Sequence, residues 1–230
     1  MRAALSVVIP TLNAETGLPG CLAALMEGLE AGLIRELVIS DGGSEDGTVR
    51  IAEEVGAILV TGAPSRGGQL RRGVGATAGD WVMLLHADTV LEPGWSDAVI
   101  AHMAQDKAGY FRLGFLSGGV PARLVAGWAN LRSRLFGLPY GDQGLVISRA
   151  LLEFVGGVPD LPLMEDVALV RALRGQLLGL PVTARTSAEK YVTEGWLRRG
   201  RRNLWTLCRY LCGADPHVLA QGYRRSDRRS

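Results

Sequence analysis

Over the first hundred positions, apolar residues come in short runs separated by polar, glycine-rich stretches. The runs at 5–9, 37–39, 58–60 and 82–85 have the length and the Gly/Asp/Pro boundaries of strands covered on both faces. Helical patterns lie between them: 18–31, then 48–55 behind a Ser/Asp/Gly turn. A basic, glycine-rich segment from Arg66 to Gly73 leads a third to Ala78, and 93–103 is the fourth. Alternation of this kind predicts right-handed βαβ crossovers and a mostly parallel α/β sheet flanked by helices.

Beyond Tyr110 the pattern loosens. Residues 114–121 read as loop or strand, 124–136 as helix, 140–147 as a polar turn with a short strand, 151–155 as a short helix and 165–173 as another helix. From Trp196 to Cys212, Leu197, Leu204, Leu207, Cys208 and Leu211 recur at helical spacing among several Arg. No internal repeat or low-complexity linker breaks the chain. The chain is expected to divide into an α/β unit over 1–190 and a basic helical extension over 191–230 that packs on the same domain.

Two loops carry the candidate chemistry. Ser40-Asp41-Gly42-Gly43-Ser44-Glu45-Asp46-Gly47-Thr48 follows the second apolar run, and His86-Ala87-Asp88 follows the fourth. In an open α/β sheet, ligands bind outside the carboxyl ends of the strands, so Asp41 and Asp88 are expected at one edge. A carboxylate at the Asp41 position can accept from the imide N–H of uracil or from guanine; the competing reading is a turn in which Ser44, Asp46 and Thr48 cap the next helix. Asp88 suits a divalent cation that neutralises a diphosphate, or alternatively caps the helix after Pro93. His86, two residues earlier, lies on the same side if the segment is extended. Glu165-Asp166 offers a general base, or simply charge in the first turn of a helix. Gly141-Asp142-Gln143-Gly144 brings amide and carboxylate groups suited to a polar acceptor, with Asp142, Gln143 and Glu165 as the candidate acceptor contacts, and Arg66, Arg71 or Arg72 is a candidate to hold phosphates. The Gly73-x-Gly75-x-x-Ala78 spacing imitates a dinucleotide fingerprint but does not follow a strand, and a P-loop, a serine nucleophile elbow and H-E-x-x-H are absent.

Composition narrows the setting. With 230 residues, 47% hydrophobic and 21% charged, the chain suits one full core plus an appendage. No apolar run approaches the roughly 18 residues of a spanning helix, and the first ten residues are too short for a signal peptide. Three cysteines cannot all pair, which points to a reducing, cytoplasmic setting, and Cys208 and Cys212 read as one buried helix face rather than metal ligands. The net charge of +2 is uneven: residues 191–230 carry +6 and the rest −4. Such asymmetry suits an anionic partner. The Arg-rich helix either lies on an anionic bilayer at the inner face of the membrane or packs on the catalytic unit, and no nucleic-acid partner is expected.

Taken in order, Val8-Ile9-Pro10-Thr11-Leu12-Asn13-Ala14-Glu15, Ile39-Ser40-Asp41-Gly42-Gly43-Ser44 with Asp46-Gly47-Thr48, Leu85-His86-Ala87-Asp88 and Met164-Glu165-Asp166 resemble the motifs of a family-2 glycosyltransferase of the GT-A fold. The His-Ala-Asp variant further resembles a bacterial subgroup of short glycosyltransferases, some associated with arsenosugar biosynthesis. The resemblance implies inverting transfer from a nucleotide-diphosphate sugar, with UDP or GDP as carrier, to a hydroxyl acceptor. It places Pro10, Glu15 and Asp41 at the nucleotide, Mn²⁺ or Mg²⁺ at Asp88 with His86 beside it, and Asp166 as general base. His86 is a departure, since the family motif usually has Asp there. A nucleotidyltransferase would want a cationic glycine-rich loop after the first strand, where this chain has Thr11-Leu12-Asn13-Ala14-Glu15. A non-catalytic nucleotide-sugar-binding or membrane-surface module is the remaining alternative.

Overall fold

The computed structural model describes residues 3–227, with side chains up to residue 222. The charges of Arg224, Arg225, Arg228 and Arg229, which weighed in the tail's asymmetry, therefore lie outside the described side chains.

Four strands form the parallel half of the sheet: β1 (Leu5–Thr11), β2 (Ile34–Asp41), β3 (Ile58–Thr61) and β4 (Trp81–Leu84). Their order is β3-β2-β1-β4, all parallel. The apolar residues of β1 alternate between two cores. Leu5, Val7 and Ile9 join one core cluster with Met83 and Leu85, whereas Val8 joins the other with Val38, Val82 and Leu84. Each face is covered by helices, so an unbroken apolar run is what two-sided burial requires. Helices α1 (Leu18–Glu30), α2 (Thr48–Glu54) and, further along the chain, α4 (Trp95–His102) contribute to the first cluster. Helices α3 (Arg66–Gly75), α6 (Arg149–Phe154) and α7 (Glu165–Ala172) contribute to the second.

The other half is mixed. Strands β5 (Thr89–Leu91), β6 (Ala108–Phe115), β7 (Leu145–Ser148) and β8 (Leu177–Thr186) extend the sheet as β4-β7-β6-β8-β5. β7 runs antiparallel to both neighbours, β6 and β8 are parallel, and β5 is antiparallel to β8. Sequence patterning did not anticipate β5, β6 or β8. The loop-or-strand reading of 114–121 is corrected: β6 ends at Phe115, and helix α5 (Gly119–Phe136) already contains Pro121 in its first turn. β8 escapes pattern reading because it holds Gly179 and Pro181. Proline cannot donate to the ladder, and the β6–β8 register shifts between Tyr110 and Arg112, opposite the stretch that contains it.

The chain closes with α8 (Glu189–Glu194), α9 (Trp196–Leu211) and α10 (Pro216–Asp227). The expected junction at 190/191 falls inside α8. Phe115, Tyr191 and Trp196 pack ring on ring, with centroids 4.9–5.2 Å apart, and join the small core under α5. Cys208 and Cys212 are exposed, correcting the expectation of a buried pair: the inward face of α9 is Arg199, Thr206 and Leu207 instead.

The packing of α1 on α4 yields a direct test. Trp95 is fully buried, and its indole N–H donates to the Ala24 carbonyl at 2.9 Å. A Cβ at Gly28 would stand 2.4 Å from the Trp95 ring. Gly28→Ala should therefore destabilise by about 1–3 kcal/mol despite the better helix propensity of Ala. A thermal melt should fall by about 2–4 °C for each kcal/mol in a chain of this size; an unchanged or raised Tm would show that the ring can move aside.

Candidate active site

Asp41 ends β2 directly beside Thr11, which ends β1. Its carboxylate is 1% exposed and accepts four hydrogen bonds: Thr11 Oγ1 at 2.9 Å, Ser44 Oγ at 2.5 Å, and the Gly43 and Ser44 amides at 2.7 and 2.8 Å. These bonds stabilise the ionised form and hold the carboxyl below its ordinary value against the opposing effect of burial. The loop is then tied to the end of β1 by reciprocal bonds. Asn13 accepts from the Glu45 amide, Glu15 from the Gly47 amide at 2.6 Å, Asp46 from the Glu15 amide, and Thr48 from the Ala14 amide. Gln69, buried on α3, donates to the carbonyls of Thr11 and Ser40 at 2.6 and 3.0 Å and closes the layer. Pro10 lies within β1, paired with Ser40. Arg72 turns away, its Nη2 donating to the Ala63 carbonyl, and is not among the cleft residues.

β4 empties into His86-Ala87-Asp88. Gly17 at the start of α1 comes so near that a Cβ there would meet the Asp88 backbone at 3.1 Å. The 3-10 turn Gly141–Gln143 faces this loop from the other side, and a Cβ at Gly141 would lie 2.7 Å from His86 Nε2. The same glycine donates its amide to Asp166 Oδ2 at 2.8 Å, while the Val167 amide donates to Oδ1 at 2.7 Å. Both oxygens of Asp166 are thus oriented by backbone. Met164, which caps α7 ahead of Asp166, has φ +64°, an uncommon conformation for a residue with a side chain.

A cleft of about 160 Å³ opens over these groups. Asp88, Asp142 and Asp166 line it together with Arg66, Lys190 and Arg199. Burial holds His86 below its ordinary pKa, opposed by the charges of Asp88 and Asp166, and pushes the Asp142 carboxyl up to about 6, opposed chiefly by Arg132. Arg132 in turn lies 3.5 Å over the Tyr140 ring, another wall of the cleft.

The structure brings together Asp88, His86, Asp142, Asp166 and Arg66, and separates others from them. Gln143, expected to meet an acceptor, is 0% exposed. Its amide donates to the Phe111 carbonyl at 3.0 Å and its carbonyl oxygen accepts from Ser133 at 2.7 Å, so it anchors the turn from behind. Glu165, expected at the same place, is 2% exposed and points away from the cleft towards a small cavity lined with Leu70, Leu145, Val158 and Leu169. Burial, reinforced by Asp166, pushes its carboxyl up to about 8.

Sequence reasoning missed Tyr140, Lys190, Tyr191, Arg199 and Asn203. The last four come from α8 and α9. Arg199 and Glu194 form an ion pair in which both side chains are under a tenth exposed, and Arg202 joins it at 2.8 Å. Glu194 thus holds Arg199 at the cleft wall. The i, i+4 spacing of Arg199 and Asn203 beside an acidic residue was the available signal, hidden among the neighbouring arginines.

Among the described residues, no group of three or more His, Cys, Asp or Glu side chains could hold an ion alone. Asp88 nevertheless fits a hard cation. It is a carboxylate on the cleft wall, and Mg²⁺ or Mn²⁺ commonly takes one or two carboxylates and completes its shell with substrate phosphates and water.

Parallel strands delivering the Asp41 loop and the Asp88 loop to one edge, completed by a mixed half that carries Asp142 and Asp166, define an α/β enzyme of the GT-A type. The profile of glycosyl transferase family 2 matches residues 6–128, and the chain belongs to this family. A PGL/p-HBAD biosynthesis glycosyltransferase of Mycobacterium bovis is 36% identical over 93 residues, 37% of this chain and 36% of that protein. The aligned region thus spans about a third of these curated relatives' length. Among solved structures, glucosyl-3-phosphoglycerate synthase from Mycobacterium tuberculosis, in complex with Mn²⁺, UDP and phosphoglyceric acid, superposes with a TM-score of 0.61 at 22% identity, covering 91% of this chain and 78% of that one. S. aureus TarS 1–349 in complex with UDP gives 0.59 at 18%, covering 82% and 62%. At these identities the likeness is one of fold.

The buried Glu165 gives the protein a defined response to pH. Its carboxyl titrates near 8 when folded against an ordinary 4.5, so the folded state keeps a proton that the unfolded chain loses. Stability from this group is complete below pH 4.5 and drains away as pH rises to 8. Asp142 acts in the same sense over 3.8 to about 6. Between about pH 6 and about pH 8.5, Tm of the native protein should fall more than that of Glu165→Gln, by about 3 °C or more. Parallel curves for the two proteins would show that Glu165 is ionised in its site.

Proposed function

We propose that the protein transfers a sugar from a nucleoside-diphosphate sugar to an acceptor hydroxyl with inversion at the anomeric carbon. The observation that carries this reading is Asp166, held by two backbone amides, in one cleft with Asp88. Asp166 takes the acceptor proton as the acceptor oxygen forms its bond to the anomeric carbon. The bond from that carbon to the diphosphate oxygen breaks on the opposite face, and the nucleoside diphosphate leaves. A divalent cation held by Asp88, with His86 beside it, would supply charge neutralisation to the diphosphate. Arg66, Lys190 and Arg199 add positive charge to the same walls, and oriented cations act strongly where charge develops. Asp142 and Tyr140 flank Asp166 and receive the acceptor, while Gln143 and Glu165 act from behind.

The nucleoside lies at the β1–β2 edge, over the loop that Asp41 and Glu15 tie down, with Arg66 on the cleft side. With four bonds already made, Asp41 can accept from a base only if one of its donors gives way. Asp41 therefore shapes the base site first and reads the base second. Because Tyr191, Arg199 and Asn203 line this cleft, α8 and α9 belong to the same catalytic unit in this reading. The structures of glucosyl-3-phosphoglycerate synthase and TarS in complex with UDP support a UDP-sugar donor, with GDP the second choice.

UDP with Mn²⁺ at a hundred times Kd should stabilise the protein by about 2.7 kcal/mol, raising the melt by several degrees. Asp88→Asn should remove the Mn²⁺-dependent part of the shift. Asp166→Asn should keep the whole shift while sugar transfer falls by about a hundredfold or more. Equal loss of binding and transfer in Asp166→Asn would contradict its assignment as base.

A further inference from the structure

Helix α5 packs on the sheet through Ala122, Ala126, Ala129 and Ser133, all buried. Its opposite face carries Val120, Leu124, Trp128, Leu131 and Leu135, all exposed and spread over about 80° of the helical wheel at 100° per residue. Leu124 is 70% exposed. A stripe of this kind, pointing straight away from the core of its own chain, has no use in folding. α9 repeats the arrangement. Its inward face supplies Arg199 and Asn203 to the cleft, while Leu197, Leu204, Trp205 and Leu211 face out, with Leu197 90% exposed. The two helices touch where Trp196 fits against Gly118, at the amino-terminal end of each.

Charge on these faces has one sign. Arg123 and Arg134 flank the α5 stripe, and Arg198, Arg201 and Arg209 are exposed on α9. Neither helix contains an Asp or Glu. An outward surface of leucines and two tryptophans edged by arginines is matched by an anionic interface with an apolar interior. Trp rings settle at such a boundary, and Arg stems lie along apolar surface while their heads reach phosphate. A second copy of the chain fits less well, because bringing like faces together sets these arginines against each other with no carboxylate on either helix to answer them. Among the described residues no helix is long and apolar enough to cross a membrane, so contact would be peripheral.

We propose that the outward faces of α5 and α9 seat the protein on an anionic lipid bilayer. Because α9 is also a wall of the cleft, seating sets the cleft beside the lipid surface, where a bilayer-held acceptor would present its hydroxyl. The inference concerns attachment alone and stands whether or not the transfer chemistry above is correct.

Co-sedimentation of the full chain with phosphatidylcholine vesicles, with and without phosphatidylglycerol, tests it. The protein should pellet with the anionic vesicles and be released by salt, as expected where each basic residue near the surface contributes about fivefold in affinity. Arg198→Gln/Arg201→Gln/Arg209→Gln should weaken binding by about a hundredfold. Leu124→Ser/Trp128→Ser, on an outward face, should weaken it at least tenfold while the protein still melts cooperatively. Failure to pellet with anionic vesicles at low salt would overturn the proposal, as would binding that neither variant alters. If the protein ignores vesicles but forms dimers in sedimentation equilibrium that Leu124→Ser/Trp128→Ser abolishes, the stripe is a self-association surface and the proposal is wrong.

Discussion

Burial of β1, β2 and β4 on both faces decides where this protein can be polar. The middle of each strand is sealed between two helical layers, and an unpaired polar side chain there would forfeit hydrogen bonds to water. Chemistry is therefore displaced to the ends. Thr11, Asp41 and the His86–Asp88 loop appear where β1, β2 and β4 leave the sheet, and the cleft forms over that edge. The mixed half answers from the other side, through the turn before β7 and the first residues of α7.

Carboxylates gathered this way repel one another, and their surroundings sort them. Asp41 is satisfied by four donors and stays charged; Glu165, buried against apolar side chains, keeps its proton to about pH 8. Asp88 and Asp166 remain on the cleft walls, which they share with the cations of Arg66, Lys190 and Arg199. Two adjacent residues, Glu165 and Asp166, thus have different fates because successive positions in a helix point about 100° apart.

That difference marks the limit of what the sequence discloses. Strand ends and their loops are legible because apolar runs and Gly/Asp punctuation are local signals, and β1 to β4 with Asp41 and Asp88 follow from them. The motifs also bring out Asp166. Side-chain direction out of a turn is not local: Gln143 reads as an acceptor contact but is drawn inward by Ser133 and the Phe111 carbonyl, 10 and 32 residues away. β8 conceals itself behind Gly179 and Pro181, which only the register shift against β6 accommodates. Arg199 resembles every other arginine of its helix until Glu194 singles it out. Distant partners decide the first two cases, and no short window of sequence contains them; in the third Glu194 is five residues away, but Arg202 shares it, so only the facing of the helix tells which arginine reaches the cleft.

The central claim is that Asp88 and Asp166 face one another across a site built for a metal-bound diphosphate. A crystal structure of the protein with UDP and Mn²⁺ tests it most directly. The account predicts anomalous density for Mn²⁺ at the Asp88 carboxylate, with the diphosphate between it and the Arg66, Lys190 and Arg199 side chains and Asp166 free to meet an acceptor. Mn²⁺ held elsewhere, or by Asp166, with the diphosphate outside this cleft, would contradict it.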